Sequence, residues 1–222
     1  MPKHNKQSIL KQSLIFCEGL DEYNFLIAWL NSKTLADVPG FANDIQVVDF
    51  GGISDLYPAL ASYKSMDNFN TVHHLMIIRD AERDSSAAVN SIQSALHRNG
   101  FTFPDSPAQW VHDTRNNLHL GFMLFPSCSA ETVNGTLEDL CLQILAGKDA
   151  PEYMTRVDAF IDDLETWRGA FSHKFKTRLH TYFSVSGKFT ALKIGEAAKA
   201  NAFDWSRREL DTLRDFVRQM IH

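Results

Sequence analysis

The segment Leu75-Met76-Ile77-Ile78-Arg79-Asp80-Ala81-Glu82 decides how this chain is read. Four apolar residues in a row, bounded by polar ones, read as a strand buried on both faces, the kind that a parallel sheet contains. Acids follow the strand directly. In an open parallel sheet, ligands bind beyond the carboxyl ends of the strands, so Asp80 and Glu82 stand where a site is expected. Just downstream, Ser85 or Ser86 opens a predicted helix to about Arg98, which Asn99-Gly100 closes.

The same strand-then-acid pattern occurs near the start. Ser13-Leu14-Ile15-Phe16-Cys17 is an apolar run ending at Glu18-Gly19, and Phe25, Leu26, Trp29 and Leu30 then recur at helical spacing between Asp21 and Asn31. A second strand is predicted over Ile45–Phe50, ending at Gly51-Gly52, with Ser54 capping a helix through Tyr63. A further strand spans Leu118–Phe125 and precedes a helix from about Thr136 to Leu145. Strands alternating with helices predict an α/β fold with a mostly parallel sheet flanked by helices. Beyond residue 150 only helical segments are read, at about 151–165, 171–184, 190–200 and 206–221. The expected organisation is a basic lead-in at 1–12, an α/β domain at 13–150 and a C-terminal helical extension at 151–222 packed on it.

Composition narrows the function classes. The 222 residues carry a formal net charge of −5, so no global basic field recruits nucleic acid, and any such binding needs a local patch, a metal or a partner. Cys17, Cys128 and Cys141 form no CxxC pair and no zinc-ligand spacing. The odd cysteine and the lack of a signal-like apolar stretch lead to the expectation of a cytoplasmic protein. No apolar run reaches the roughly 18–20 residues of a membrane span, so no membrane association is expected.

If strands one and three are neighbours, Glu18, Asp80 and Glu82 converge. Like charges that close are costly unless protons or a cation compensate, and a hard, oxygen-seeking ion such as Mg²⁺ is the natural compensator. In an extended tail, residues 80 and 82 project to the same side and can address one ion. Asp84, just before the next helix, fits a capping role better.

These segments resemble the TOPRIM motifs. Leu14-Ile15-Phe16-Cys17-Glu18-Gly19 is similar to the first motif, an apolar strand followed by Glu-Gly. Leu75-Met76-Ile77-Ile78-Arg79-Asp80-Ala81-Glu82 is similar to the second, an apolar strand followed by Asp-x-Asp, with glutamate in the second acidic place. Val48-Asp49-Phe50-Gly51-Gly52, Leu137-Glu138-Asp139-Leu140 and Gly195-Glu196-Ala197-Ala198 extend the likeness to a family of small TOPRIM-like proteins of unknown function related to OLD-family nucleases, over about residues 13–205. The resemblance implies a TOPRIM-like sheet and Mg²⁺- or Mn²⁺-dependent phosphodiester chemistry on DNA or RNA. It also implies a site including Glu22 and one of Glu138 and Asp139, a late catalytic lysine at Lys176 or Lys174, and an ABC-type ATPase as partner in DNA processing or phage defence. By its residues alone, each of Glu138 and Asp139 reads equally as a helix N-terminal acid favoured by the macrodipole.

Other features carry less. Ser186-Gly187-Lys188-Phe189-Thr190 lacks the leading glycine and preceding strand of a phosphate loop. His73-His74 point apart on a strand, and His112, Asp113 and His119 match no zinc motif. The cluster His173-Lys174-Phe175-Lys176-Thr177-Arg178 reads as a solvated helix face that can also touch phosphate. Two functions are expected from this: a metal-dependent nuclease with Asp80 and Glu82 on the ion and Glu18 binding a second ion or acting as general acid/base, or a non-catalytic module binding nucleotide or protein.

Overall fold

The computed structural model describes residues 8–32 and 41–221, so most of the basic lead-in lies outside the described residues. Strands β1 (Ser13–Cys17), β2 (Ile45–Asp49), β3 (His74–Asp80), β4 (Trp110–Asp113) and β5 (Leu118–Phe125) form one five-stranded sheet in the order β2-β1-β3-β5-β4. All neighbours are parallel except the β4–β5 pair. Helices α1 (Leu20–Leu30), α2 (Phe41–Asp44), α3 (Leu56–Lys64), α4 (Ser85–Arg98), α5 (Leu137–Gln143), α6 (Ala150–Arg168), α7 (Lys174–Val185), α8 (Ile194–Lys199) and α9 (Asp211–Arg218) flank it. The mixed α/β architecture with a mostly parallel sheet is the one that the alternating sequence pattern predicts.

Every residue of β1 is buried, because both sheet faces are covered. Leu14 and Phe16 face a cluster with Leu75, Ile77, Leu120 and Phe122, under α3 and α4. Ile15 and Cys17 face a second cluster with Met76, Ile78, Met123 and Phe125. This second cluster takes in Phe25, Leu26 and Trp29 of α1 together with Leu179 and Phe183 of α7, Ala197 of α8 and Phe216 of α9. The helices beyond residue 150 therefore share one core with the first helix of the chain.

Several boundaries differ from expectation. β3 runs on through Arg79 and Asp80, because β5 continues the ladder as far as Asp80 opposite Phe125. Two polar side chains at the end of an apolar run obscured that extension. β4 escaped notice as a strand of four residues with mixed polarity. Asp113 at its end is 1% exposed. Its carboxylate accepts the backbone N–H of Thr102 at 2.9 Å and of Arg115 and Asn116 at 3.1 Å, and the Asn116 amide at 2.7 Å. Burial pushes this acid up, but the hydrogen bonds win and hold it below the ordinary range. Asp113 thus organises the β4–β5 turn. Asp84 caps α4 by accepting the Ala87 N–H at 2.9 Å. Ahead of α3, Ile53–Asp55 forms a 3₁₀ turn in which Asp55, rather than Ser54, holds the Gly52 N–H at 3.1 Å.

Gly195 lets α8 lie directly against α1: a Cβ built there would collide with Asn24 on the helix that carries Glu22. Gly195→Ala should lower the urea midpoint with an unchanged slope, a loss of about 1–3 kcal/mol from overpacking. Equilibrium urea unfolding of parent and variant checks this.

Candidate metal centre

The parallel register of β1 and β3 sets Cys17 beside Ile78. One step further, Glu18 stands beside Arg79. Alternation along both strands carries Glu18 and Arg79 to the face of Phe16 and Ile77, and Asp80 to the face of Met76 and Ile78. Glu18 and Asp80 thus point toward opposite faces, yet remain close enough for the Glu18 charge to act on Asp80.

On the first face, Arg79 is only 2% exposed. Its Nε lies 3.2 Å from Glu18 Oε2, an ion pair whose N–H is out of line, so neither atom makes a hydrogen bond. The guanidinium also donates to Ser91 Oγ at 3.3 Å. Burial raises the Glu18 carboxyl above its usual range; Arg79 opposes this and Glu82 adds to it. Arg79 is the site residue that the sequence reading missed. An arginine inside an otherwise apolar strand, one place before the aspartate, was the available signal.

On the second face, Asp80, Glu22 and Glu138 feel one another. Asp80 Oδ1 accepts the Leu137 N–H at 2.9 Å, which fixes the carboxylate against the start of α5. Burial pushes the Asp80 carboxyl well up, and the charges of Glu22, Glu138 and Glu18 push it further. Burial likewise raises Glu22 to about 7, with Glu18, Asp21 and Glu138 contributing. The thiols of Cys128 and Cys141 sit behind these acids, fully buried and held protonated by burial and the nearby carboxylates. Asp139 instead turns back to accept the Thr136 N–H at 2.8 Å, so it serves the helix start.

Glu82 departs from the extended tail expected of it. Its φ is 57°, and its backbone exchanges two 2.8 Å hydrogen bonds with Gly135. The left-handed conformation at Glu82 turns the chain out of the strand direction, so the alternation that would align its side chain with Asp80 no longer applies. Glu82 is exposed and lines the same cleft as Asp80.

Two clefts meet over these acids. One, of about 590 Å³, is lined by Asp80, Glu82, Arg83, Glu138, Lys174 and Lys176. The other, of about 750 Å³, is lined by Asp21, Glu22, Asp80, Glu138, Lys176 and Lys199. Asp80, Glu138 and Lys176 border both. The two candidate lysines differ in their partners. Lys174 is held by Asp162 at 2.8 Å and Glu165 at 2.7 Å on α6, whereas Lys176 reaches Glu138 at 3.7 Å with a largely exposed side chain. Arg178 is engaged by both oxygens of Asp158, at 2.6 and 2.7 Å. Most of the basic cluster thus ties α7 to α6. Among the described residues, no group of three or more His, Cys, Asp or Glu side chains is arranged to hold a metal ion as it stands.

Glu22 makes stability depend on pH in a direction opposite to that of an ordinary ion-paired acid. Its carboxyl rises from 4.5 to about 7, so its contribution is complete below about 4.5 and is lost as pH climbs through about 7. His74, lowered from 6.5 to about 4, works the other way and costs stability as pH falls between those values. The difference between Glu22→Gln and parent isolates the first effect. In metal-free urea unfolding, the variant should gain on the parent between about pH 5 and about pH 8, by on the order of 1–3 kcal/mol.

No curated protein and no solved structure matches the chain, and among the described residues no helix is long and apolar enough to cross a membrane. A family model described as "Protein of unknown function (DUF3226)" matches residues 12–222, nearly the whole chain including the strands, the acids and the C-terminal helices, and the protein belongs to that family.

Proposed function

We propose that the chain is a divalent-cation-dependent phosphodiester-cleaving protein, with Asp80, Glu22 and Glu138 as the carboxylates that take the ion. The observation that carries this is the burial of mutually repelling carboxylates at the carboxyl end of a parallel sheet, with Lys176 beside Glu138 in both clefts. The donor set is all oxygen, which suits Mg²⁺ or Mn²⁺. The resemblance of Glu18-Gly19 and Asp80-Ala81-Glu82 to TOPRIM motifs supports the same chemistry.

Such an ion neutralises phosphate charge and lowers the pKa of its bound water. The residues of this chain do the rest. Asp80 is oriented by the Leu137 N–H, which leaves its second oxygen for the ion. Glu22, near 7 without an ion, must shed its proton to take one, which makes ion uptake stronger as pH rises. Lys176 and Arg83 line the cleft beside the acids, where a phosphate oxygen would be held. Glu18, paired with Arg79, supports the site from the opposite face and is a weaker candidate for base or ligand than its position after β1 suggested. Glu82 reaches an ion only through the cleft it shares with Asp80. On the sequence resemblance alone, the substrate is DNA or RNA, and an ABC-type ATPase acts with this protein in DNA processing or phage defence.

One observation favours a second reading, a module that binds nucleotide or protein without catalysis. Arg79 already neutralises Glu18, and the turn at Glu82 takes its backbone out of the strand direction, so two of the expected acids are less free to hold an ion. The two readings separate in one experiment. Plasmid DNA and single-stranded RNA are incubated with the protein and Mn²⁺ or Mg²⁺, and thermal melts are recorded with and without the ion. The nuclease reading expects cleavage, greater with Mn²⁺, falling by about a hundredfold or more in Asp80→Ala. It also expects a metal-induced rise in melting temperature that the variant lacks, larger at about pH 8 than at about pH 6 because the ligands must shed protons. A melting shift without cleavage in any arm favours the module. Equal shifts in parent and variant remove Asp80 from the site.

A further inference from the structure

The opposite edge of the sheet holds a row of histidines that the chain order disperses. Register places Ser13 of β1 beside His74 of β3, His74 beside His119 of β5, and His119 beside His112 of β4. Three consecutive strands thus present an imidazole at the same level, and in-register residues on adjacent strands share a face. The rings confirm it: His74 and His119 have centroids 5.1 Å apart at 22° between planes, and His112 and His119 have centroids 4.7 Å apart at 31°. His112 and His119 are exposed and His74 is half-buried. His74 also meets the edge of Trp110 at 5.7 Å.

We propose that this row is a surface site for a borderline divalent transition-metal ion, Zn²⁺, Ni²⁺ or Cu²⁺, held by His119 together with one of its two neighbours, His112 or His74. Two imidazoles on one tetrahedral ion, with metal–nitrogen bonds of about 2.0–2.1 Å, have ring centroids about 5 Å apart. The His112–His119 and His74–His119 pairs each meet that requirement, whereas His74 and His112 stand two strands apart on either side of His119, so one ion takes His119 and one neighbour. What differs is ring orientation: stacked rings must turn about the Cβ–Cγ bond, a torsion with a broad and shallow profile. The exposure of His112 and His119 leaves room for that turn, and water completes the coordination. Nitrogen donors select these metals over Mg²⁺, which the carboxylates at the other edge would take. The two sites lie at opposite ends of β3, from His74 to Asp80, roughly 20 Å apart. The row is therefore independent of the proposed phosphodiester chemistry.

Isothermal titration of the full chain with Zn²⁺ and with Ni²⁺, alongside Cu²⁺ quenching of tryptophan fluorescence, tests the site. One ion per chain should bind at the row, and Trp110 should be quenched with it. His119→Ala should weaken binding by about tenfold or more, and His112→Ala and His74→Ala each by less, because the central ring serves both neighbours. Asp80→Ala should leave this binding unchanged. Affinity equal to the parent in His119→Ala, with a native melt, overturns the proposal, as does loss of the Zn²⁺ site in Asp80→Ala.

Discussion

The parallel pairing of β1 with β3, from Ser13 beside His74 to Cys17 beside Ile78, is the constraint on which the rest of the molecule depends. It joins segments about sixty positions apart in sequence and places their carboxyl ends side by side. It also fixes which side chains share a face, since a slip of one residue would turn every side chain to the other side. From that single register follow the two hydrophobic layers, the Glu18–Arg79 ion pair on one face and the exposure of Asp80 to Glu22 and Glu138 on the other.

The energetic character of the two faces differs. Glu18 and Arg79 bury opposite charges together, an arrangement that costs several kcal/mol if one partner is removed and contributes little net stability while intact. Asp80 and Glu22 bury like charges and answer with protons, as their raised carboxyls show. A fold that keeps such a cluster gives up stability at neutral pH, and proteins hold such strain mainly where chemistry or binding uses it. The buried Cys128 and Cys141 behind it keep the floor of the site apolar and so strengthen the effect.

The C-terminal helices complete the core and line the candidate site. α7 contributes Leu179 and Phe183 to the cluster under α1, and from its outer side sends Lys176 to Glu138. Its anchoring to α6 through Lys174 and Arg178 commits those two cations of the basic run to acids of this protein. α8 lies against α1 at Gly195 and supplies Lys199 to the second cleft, so the helix bearing Glu22 is held from outside by the last third of the chain.

Local pattern determined much of this protein. Apolar runs of four to eight residues gave the strand that ends just before Glu18 and the strand that ends on Asp80, and helical spacing gave α1, α4 and the helices beyond residue 150. The capping role of Asp84 was legible too, because a cap is a contact within one turn. Tertiary structure decided what depends on distant partners. β4 exists because β5 offers it an edge, and β3 extends to Asp80 because Phe125 continues the ladder. Arg79 became part of the site only when Glu18 arrived beside it. Glu82 left the strand direction because Gly135 captured its backbone. His74, set aside because it points away from His73, and His112 and His119, which match no zinc motif, came into one row only through strand order and register. Sequence spacing encodes neighbours within a helix or a strand, whereas neighbours across a sheet are set by which strands pair and at what offset, and that is fixed by the burial of the whole core.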